Sequence, residues 1–211
     1  MKLYTFKHAP NPLKIRLALA ELGISYEAIQ VDFKKRETRG EDFLKLNPFG
    51  RVPVLEKGNL ILRESNAILA YLGKEEKKLW PVPLADEALA LQWLFFDSCH
   101  LIQPAATLWL KHGFGPLTNR VPDDAIVQYS TKQLDRFLEP VERHLAKNNF
   151  ILGDTFSLVD CCLGVTLSLL KGTVFEDPLK WKYVTQYWHT IQRRRSWADS
   201  EGSGIYPETT V

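Results

Sequence analysis

The grammar of the chain changes once, and that change limits what it can fold into. Through about residue 72, short strand-like runs alternate with helical ones; beyond Trp80-Pro81-Val82-Pro83 the strand signals stop. Paired prolines favour extended backbone, so residues 80–83 read as a connector. Before it, residues 3–6 and 26–31 have strand character. Residues 13–22 form a broad apolar helical face stopped by Gly23, and residues 41–46 suit a short helix. Residues 52–56 and 60–62 are two more strands joined at Lys57-Gly58-Asn59, a hairpin signal, and a last helix covers residues 65–72. The order βαβ then αββα predicts a small mixed sheet with helices.

After the connector, Leu84, Ala88, Leu91, Phe95 and Ile102 fall on one helical stripe. So do Leu134, Phe137, Val141 and Leu145, then Leu158, Cys162, Val165 and Leu169, then Trp181, Val184, Trp188 and Ile191. Breaks at residues 113–116, 148–149 and 176–178 divide a helical bundle. The expected division is an α/β domain over residues 1–73, a linker over 74–85 and an all-α domain over 86–211. A chain of 211 residues is long for one small domain and short for two large ones, which such a division accommodates.

Several other classes are closed off. No uncharged apolar run reaches the roughly 18 residues of a membrane span, and no apolar stretch of signal-peptide length follows the N-terminus. Cys99, Cys161 and Cys162 form neither a CxxC nor a zinc pattern, so no metal is expected and a reduced, cytoplasmic setting is the simplest reading. The net charge of +2 conceals an asymmetry: 15 Lys/Arg against 10 Asp/Glu in residues 1–80, and 12 against 15 in the remainder. The cluster Lys34-Lys35-Arg36-Glu37-Thr38-Arg39 reads as a solvated loop, not a nucleic-acid stripe. A small anionic ligand near the first half is the more interesting alternative.

Three local features stand out. In Asn47-Pro48-Phe49-Gly50-Arg51-Val52-Pro53, a proline entering a strand belongs at an edge or a tight turn. A cis bond there turns the Val52 backbone outward, where it can pair with a peptide-like ligand; a plain trans turn is the alternative. In Arg63-Glu64-Ser65-Asn66-Ala67, a strand meets a helix N-terminus whose hydroxyl and free N–H groups suit a carboxylate, while Glu64 suits an ammonium. An ordinary capping serine is the bland alternative. Ser157-Leu158-Val159-Asp160 has the S-x-x-D form of a capping box and starts a buried helix.

In their order and spacing, these segments resemble the cytosolic glutathione transferases over nearly the full chain. Lys2-Leu3-Tyr4, the Leu17-Ala18-Leu19 to Glu21-Leu22-Gly23 helix and Phe156-Ser157 with Asp160 carry the likeness further. The resemblance implies a thioredoxin-like N-terminal domain followed by an all-α helical bundle. It implies glutathione as co-substrate, with a cis Val52-Pro53 bond pairing its cysteinyl part and Glu64 and Ser65 holding its γ-glutamyl end. Arg51 stands where the family often has a polar residue near the ligand backbone, and Arg39 lies in the segment that often reaches the glycyl carboxylate. A homodimer is implied too.

The turn that should carry the chemistry departs from the family. It reads Phe6-Lys7-His8-Ala9-Pro10-Asn11-Pro12, with Ala9 where a hydroxyl or thiol donor is expected. A free thiol is mostly protonated at neutral pH, and a donor to its sulfur favours the thiolate. Asn11 is the first substitute, because Ala9-Pro10-Asn11 resembles an Asn-bearing turn of a bacterial and fungal branch; an Asx turn before Pro12 is its alternative role. His8 is a weaker candidate, and Tyr4 reads as core. An apolar electrophile would bind between the domains, near Phe96, His100, Gln103, Trp109, His112 and Phe114, any of which also suits the bundle core. The polar tail, residues 200–211, is either mobile or covers that cleft. The leading expectation is a transferase. A glutathione-dependent disulfide reductase and a noncatalytic glutathione-binding scaffold remain open, as do isomerase and dehalogenase activities.

Overall fold

The computed structural model describes residues 1–115 and 120–205. In the first half, β1 (Lys2–Thr5), α1 (Pro10–Leu22) and β2 (Glu27–Gln30) form a βαβ unit, followed by a 3-10 turn and α2 (Glu41–Leu46). The hairpin β3 (Val54–Lys57) and β4 (Leu60–Arg63) then leads into α3 (Ser65–Glu76). The four strands lie in the order β2-β1-β3-β4, with β1 parallel to β2 and the other pairings antiparallel. α1 begins at Pro10, whose missing N–H costs nothing at a helix start, and ends at Gly23 in the left-handed conformation. It is buried from Pro12 to Leu19, including Lys14 and Arg16. α3 runs four residues past the expected end at Leu72, so the connector between helices is residues 77–83.

The second half is mostly helical: α4 (Leu84–Phe96), α5 (Ile102–Trp109), α6 (Asp124–Leu145), α7 (Leu158–Ser168), α8 (Lys182–Gln192) and α9 (Arg195–Asp199). Wide π-type turns join α4 to α5 at Asp97–Leu101 and extend α5 through Leu110–Phe114. The chain therefore does not break at Gly113, and residue 116 of that expected break lies outside the described residues. α7 is buried on every side and starts at the expected capping box. Asp160 accepts the Ser157 N–H at 2.7 Å through one carboxylate oxygen, and the Ile151 N–H and Tyr187 hydroxyl, each at 2.8 Å, through the other. Burial pushes the Asp160 carboxyl up, against the pull of these donors.

The two halves share one core. Leu3, Leu13, Leu17, Ile68 and Leu72 from the first half belong to the same buried cluster as Leu94, Leu134, Leu163 and Trp188 from the second. The apolar stripe of α4 is turned outward instead: Leu84 is 82% and Phe95 64% exposed, while Ala90 and Leu94 face the core. Periodicity identified the helix but not the buried side, because two apolar faces compete along it. Cys99, Cys161 and Cys162 are free thiols. No helix among the described residues is long and apolar enough to cross a membrane.

Candidate functional site

Strand register gathers the three segments. Tyr4 pairs with Val54, and Val54 with Arg63. The turn after β1, the Val52-Pro53 bond before β3 and the Glu64-Ser65 junction after β4 therefore lie at one end of the sheet. Val52-Pro53 is cis, and Val52 stands outside the ladder that begins at Val54. Asn47 fixes the approach: its side chain donates to the Arg51 carbonyl at 2.7 Å and accepts from the Phe49 N–H at 3.1 Å. Gly50 sits at φ 61°, where a Cβ would meet the Thr38 carbonyl at 2.7 Å and the Arg39 guanidinium at 2.9 Å. Only glycine suits that position, and Arg39 is thereby laid over the same turn that carries the exposed Arg51.

Glu64 precedes α3 at φ 64° and ψ 112°, a conformation that costs a side-chain-bearing residue about 1–3 kcal/mol. Such strain is concentrated where a group must be aimed. Ser65, the first residue of α3, is buried beside it. Behind them lies a polar network that sequence reasoning missed. The Asn66 amide donates to the Leu94 carbonyl and the Ser98 hydroxyl, each at 2.8 Å, and accepts from the Cys162 thiol at 3.1 Å. Asp97 receives the Lys14 ammonium at 2.5 Å and the Thr166 hydroxyl at 2.5 Å, with both charged side chains only 1% exposed. Burial alone would push the Lys14 pKa down, but Asp97 outweighs it and the pKa is raised. Burial also drives the Cys161 and Cys162 thiols well up, which keeps them protonated and unreactive.

Arg16 organises the turn after β1. Its guanidinium donates to the Thr5 hydroxyl at 2.9 Å and the Phe6 and Lys7 carbonyls at 3.3 and 3.1 Å. Its Nε donates to the Ser200 carbonyl at 2.9 Å. The legible signal for Arg16 and Lys14 was two cations within residues 12–19 of α1, a stretch otherwise apolar, since buried charges require partners. Asn11 occupies the first turn of α1, half-buried, two residues beyond Ala9. The helix thus starts ahead of Asn11, where an Asx turn before Pro12 would have placed it later.

The cleft candidates divide into two groups. His8 packs between Phe6 and Phe114, with both ring separations 5.3 Å, and Phe114 stacks on Trp109 at 5.0 Å. Phe33 extends this row through Phe6 at 4.6 Å. Trp109 is buried behind Phe114 and gives its indole N–H to the Ile205 carbonyl at 2.8 Å, so it backs the row without lining it. Phe96 joins a different cluster with Trp93, His100 and Phe137. Gln103 and His112 are exposed. In the tail, Ser200, Gly202 and Ile205 are buried, and residues 206–211 lie outside the described residues. Among the described residues no cluster of His, Cys, Asp or Glu could hold a metal ion.

Known proteins match both halves. The family model "Glutathione S-transferase, N-terminal domain" covers residues 1–74, and "Glutathione S-transferase, C-terminal domain" covers residues 119–187. Glutathione S-transferase 3 of Zea mays is 35% identical over 92% of this chain and 90% of its own. Glutathione S-transferase F10 of Arabidopsis thaliana is 30% identical over 87% and 88%. A solved structure of glutathione S-transferase I bound with lactoylglutathione superposes with a TM-score of 0.84 at 25% identity, covering 95% of this chain and 98% of that one. These curated relatives are plant proteins, where the turn by itself resembled a bacterial and fungal branch. With matches on both halves and two relatives spanning most of its length, the chain belongs to the glutathione S-transferase family.

Proposed function

We propose that the protein is a glutathione transferase that joins the glutathione thiolate to a small apolar electrophile. The observation that carries this is the shared sheet end, which sets the cis Val52-Pro53 bond beside Glu64-Ser65 and the turn leading to Asn11. Glu64 takes the ammonium, and Ser65 with the N–H groups of α3 takes the carboxylate of the γ-glutamyl end. The Val52 backbone pairs with the cysteinyl unit, and Arg39 and Arg51 answer the glycyl carboxylate. Asn11 donates to the sulfur in place of the hydroxyl absent at Ala9, assisted by the N-terminal dipole of α1.

Asn11→Ala tests this assignment. A hydrogen bond to a charged group is worth about 1.5–3 kcal/mol, so turnover should fall at least roughly tenfold and the bound thiol pKa rise by about one unit or more. Thiolate absorbance titrated against pH reads the shift; an unchanged curve removes Asn11 from the sulfur. Activity on a model disulfide exceeding that on an aryl halide would replace conjugation by reduction.

We further propose a cytoplasmic homodimer. Free thiols suit a reducing compartment. Phe49 is 65% exposed, and α4 carries its outward apolar stripe beside a groove of about 430 Å³ lined by Leu89, Trp93 and His144. Exposed large apolar side chains of this kind suit burial against a partner surface. Phe49→Asp should shift the mass measured by light scattering from dimer to monomer; an unchanged dimer mass would place the interface elsewhere.

A further inference from the structure

The C-terminal segment is fastened from three separate elements: the turn after β1, α1 and α5. Arg16 reaches the Ser200 carbonyl, Trp109 the Ile205 carbonyl, and His8 Nδ1 the Gly204 carbonyl at 2.6 Å. A carbonyl can only accept, so His8 holds its proton on Nδ1. The approach is close: a Cβ on Gly204 would lie 3.0 Å from the exposed Lys7 side chain, which would have to shift by a few tenths of an ångström. Ile205 is fully buried, so the segment is a packed part of the fold. His8 and Trp109 are also two members of the aromatic row that crosses from the first half to the second. Two side chains, His8 and Trp109, therefore belong both to the row and to the contacts that hold the segment.

We propose that His8 is a positioning residue that holds residues 200–205 as a wall of the electrophile side of the cleft. It acts by pinning the Gly204 carbonyl while its ring stays between Phe6 and Phe114. This rests on the transferase reading above. The γ-glutamyl and cysteinyl contacts of glutathione are assigned to other residues, Glu64-Ser65 and Val52, so losing the His8 contact should separate the two substrates.

His8→Phe keeps a ring in the row and removes the donor, whereas His8→Asn restores an N–H near the same place. In His8→Phe the electrophile KM should rise about five- to tenfold, with glutathione affinity within twofold of wild type. Amide hydrogen exchange across residues 200–205 should accelerate about tenfold, and His8→Asn should recover most of both effects. Trp109→Phe, which retains stacking and loses the indole N–H, should move the same readouts in the same direction. Unchanged KM and exchange in His8→Phe would overturn the proposal. So would His8→Asn as impaired in turnover as His8→Phe with exchange restored, since the imidazole itself would then act on the reaction. Exchange is measured without substrate, so a wild-type protein that fails to bind glutathione would refute the transferase reading and leave the segment's tether separately readable.

Discussion

Replacing Asp97 by alanine is expected to destabilise the protein by about 3–5 kcal/mol, because it strands the Lys14 ammonium in the core. The pair is almost fully enclosed, and Asp97 joins α1, through Lys14, to α7, through Thr166, from the segment that follows α4. The pair's net worth is a separate question, since desolvating two charges offsets most of their attraction. Lys14→Met with Asp97→Leu should therefore recover much of what Asp97→Ala loses. Urea unfolding of the single and double variants measures the difference, and a single-variant loss below about 1 kcal/mol would show the ammonium escaping to water.

The pH at which this is measured matters through sign. The folded Lys14 pKa is raised above its ordinary 10.5. Its contribution is therefore present in full below that value and is lost as pH rises through the folded pKa. Neutral buffers report the whole effect. The Asn66 amide also donates to the Asp97 carboxylate at 3.3 Å, and its neighbour is Ser65, so the same variant should also loosen the Glu64-Ser65 junction.

The legible part of the fold was whatever local pattern decides. Residues 41–46 form a helix with the expected limits, the Lys57-Gly58-Asn59 hairpin is in place, and the Ser157-Asp160 box caps α7. What escaped was decided by partners distant in sequence. Asp97 lies 83 residues from Lys14 and 69 from Thr166, and nothing in its own neighbourhood marks it as buried. The outward turn of Leu84 and Phe95 escaped for a related reason, since periodicity specifies a stripe and not what covers it. At the candidate site, Val52, Pro53, Glu64 and Ser65 were readable as motifs because turns and helix starts demand particular residue types. The roles of Arg16 and His8 were not, because each depends on a C-terminal segment nearly 200 residues away.

Glu64 is expected to show opposite effects on stability and binding. At φ 64° and ψ 112° it holds a positive-φ backbone conformation that glycine, having no Cβ, tolerates better than any other residue. Glu64→Gly should therefore stabilise the fold by about 1 kcal/mol while removing the carboxylate assigned to the glutathione ammonium. Ser65→Ala leaves the backbone alone and removes the hydroxyl assigned to the carboxylate. Charge-assisted hydrogen bonds of this kind are worth about 1.5–3 kcal/mol, so each variant should weaken glutathione binding roughly ten- to hundredfold. The two losses should add incompletely, because both groups grip one end of one ligand. Calorimetry with S-methylglutathione isolates this recognition from ionisation of the thiol, and thermal unfolding of the same samples gives the stability. Binding within threefold of wild type in both variants would move the γ-glutamyl site away from the β4–α3 junction. A Glu64→Gly protein that is weaker in both measurements would mean that its side chain supports the fold and that the strained backbone is not held for the ligand.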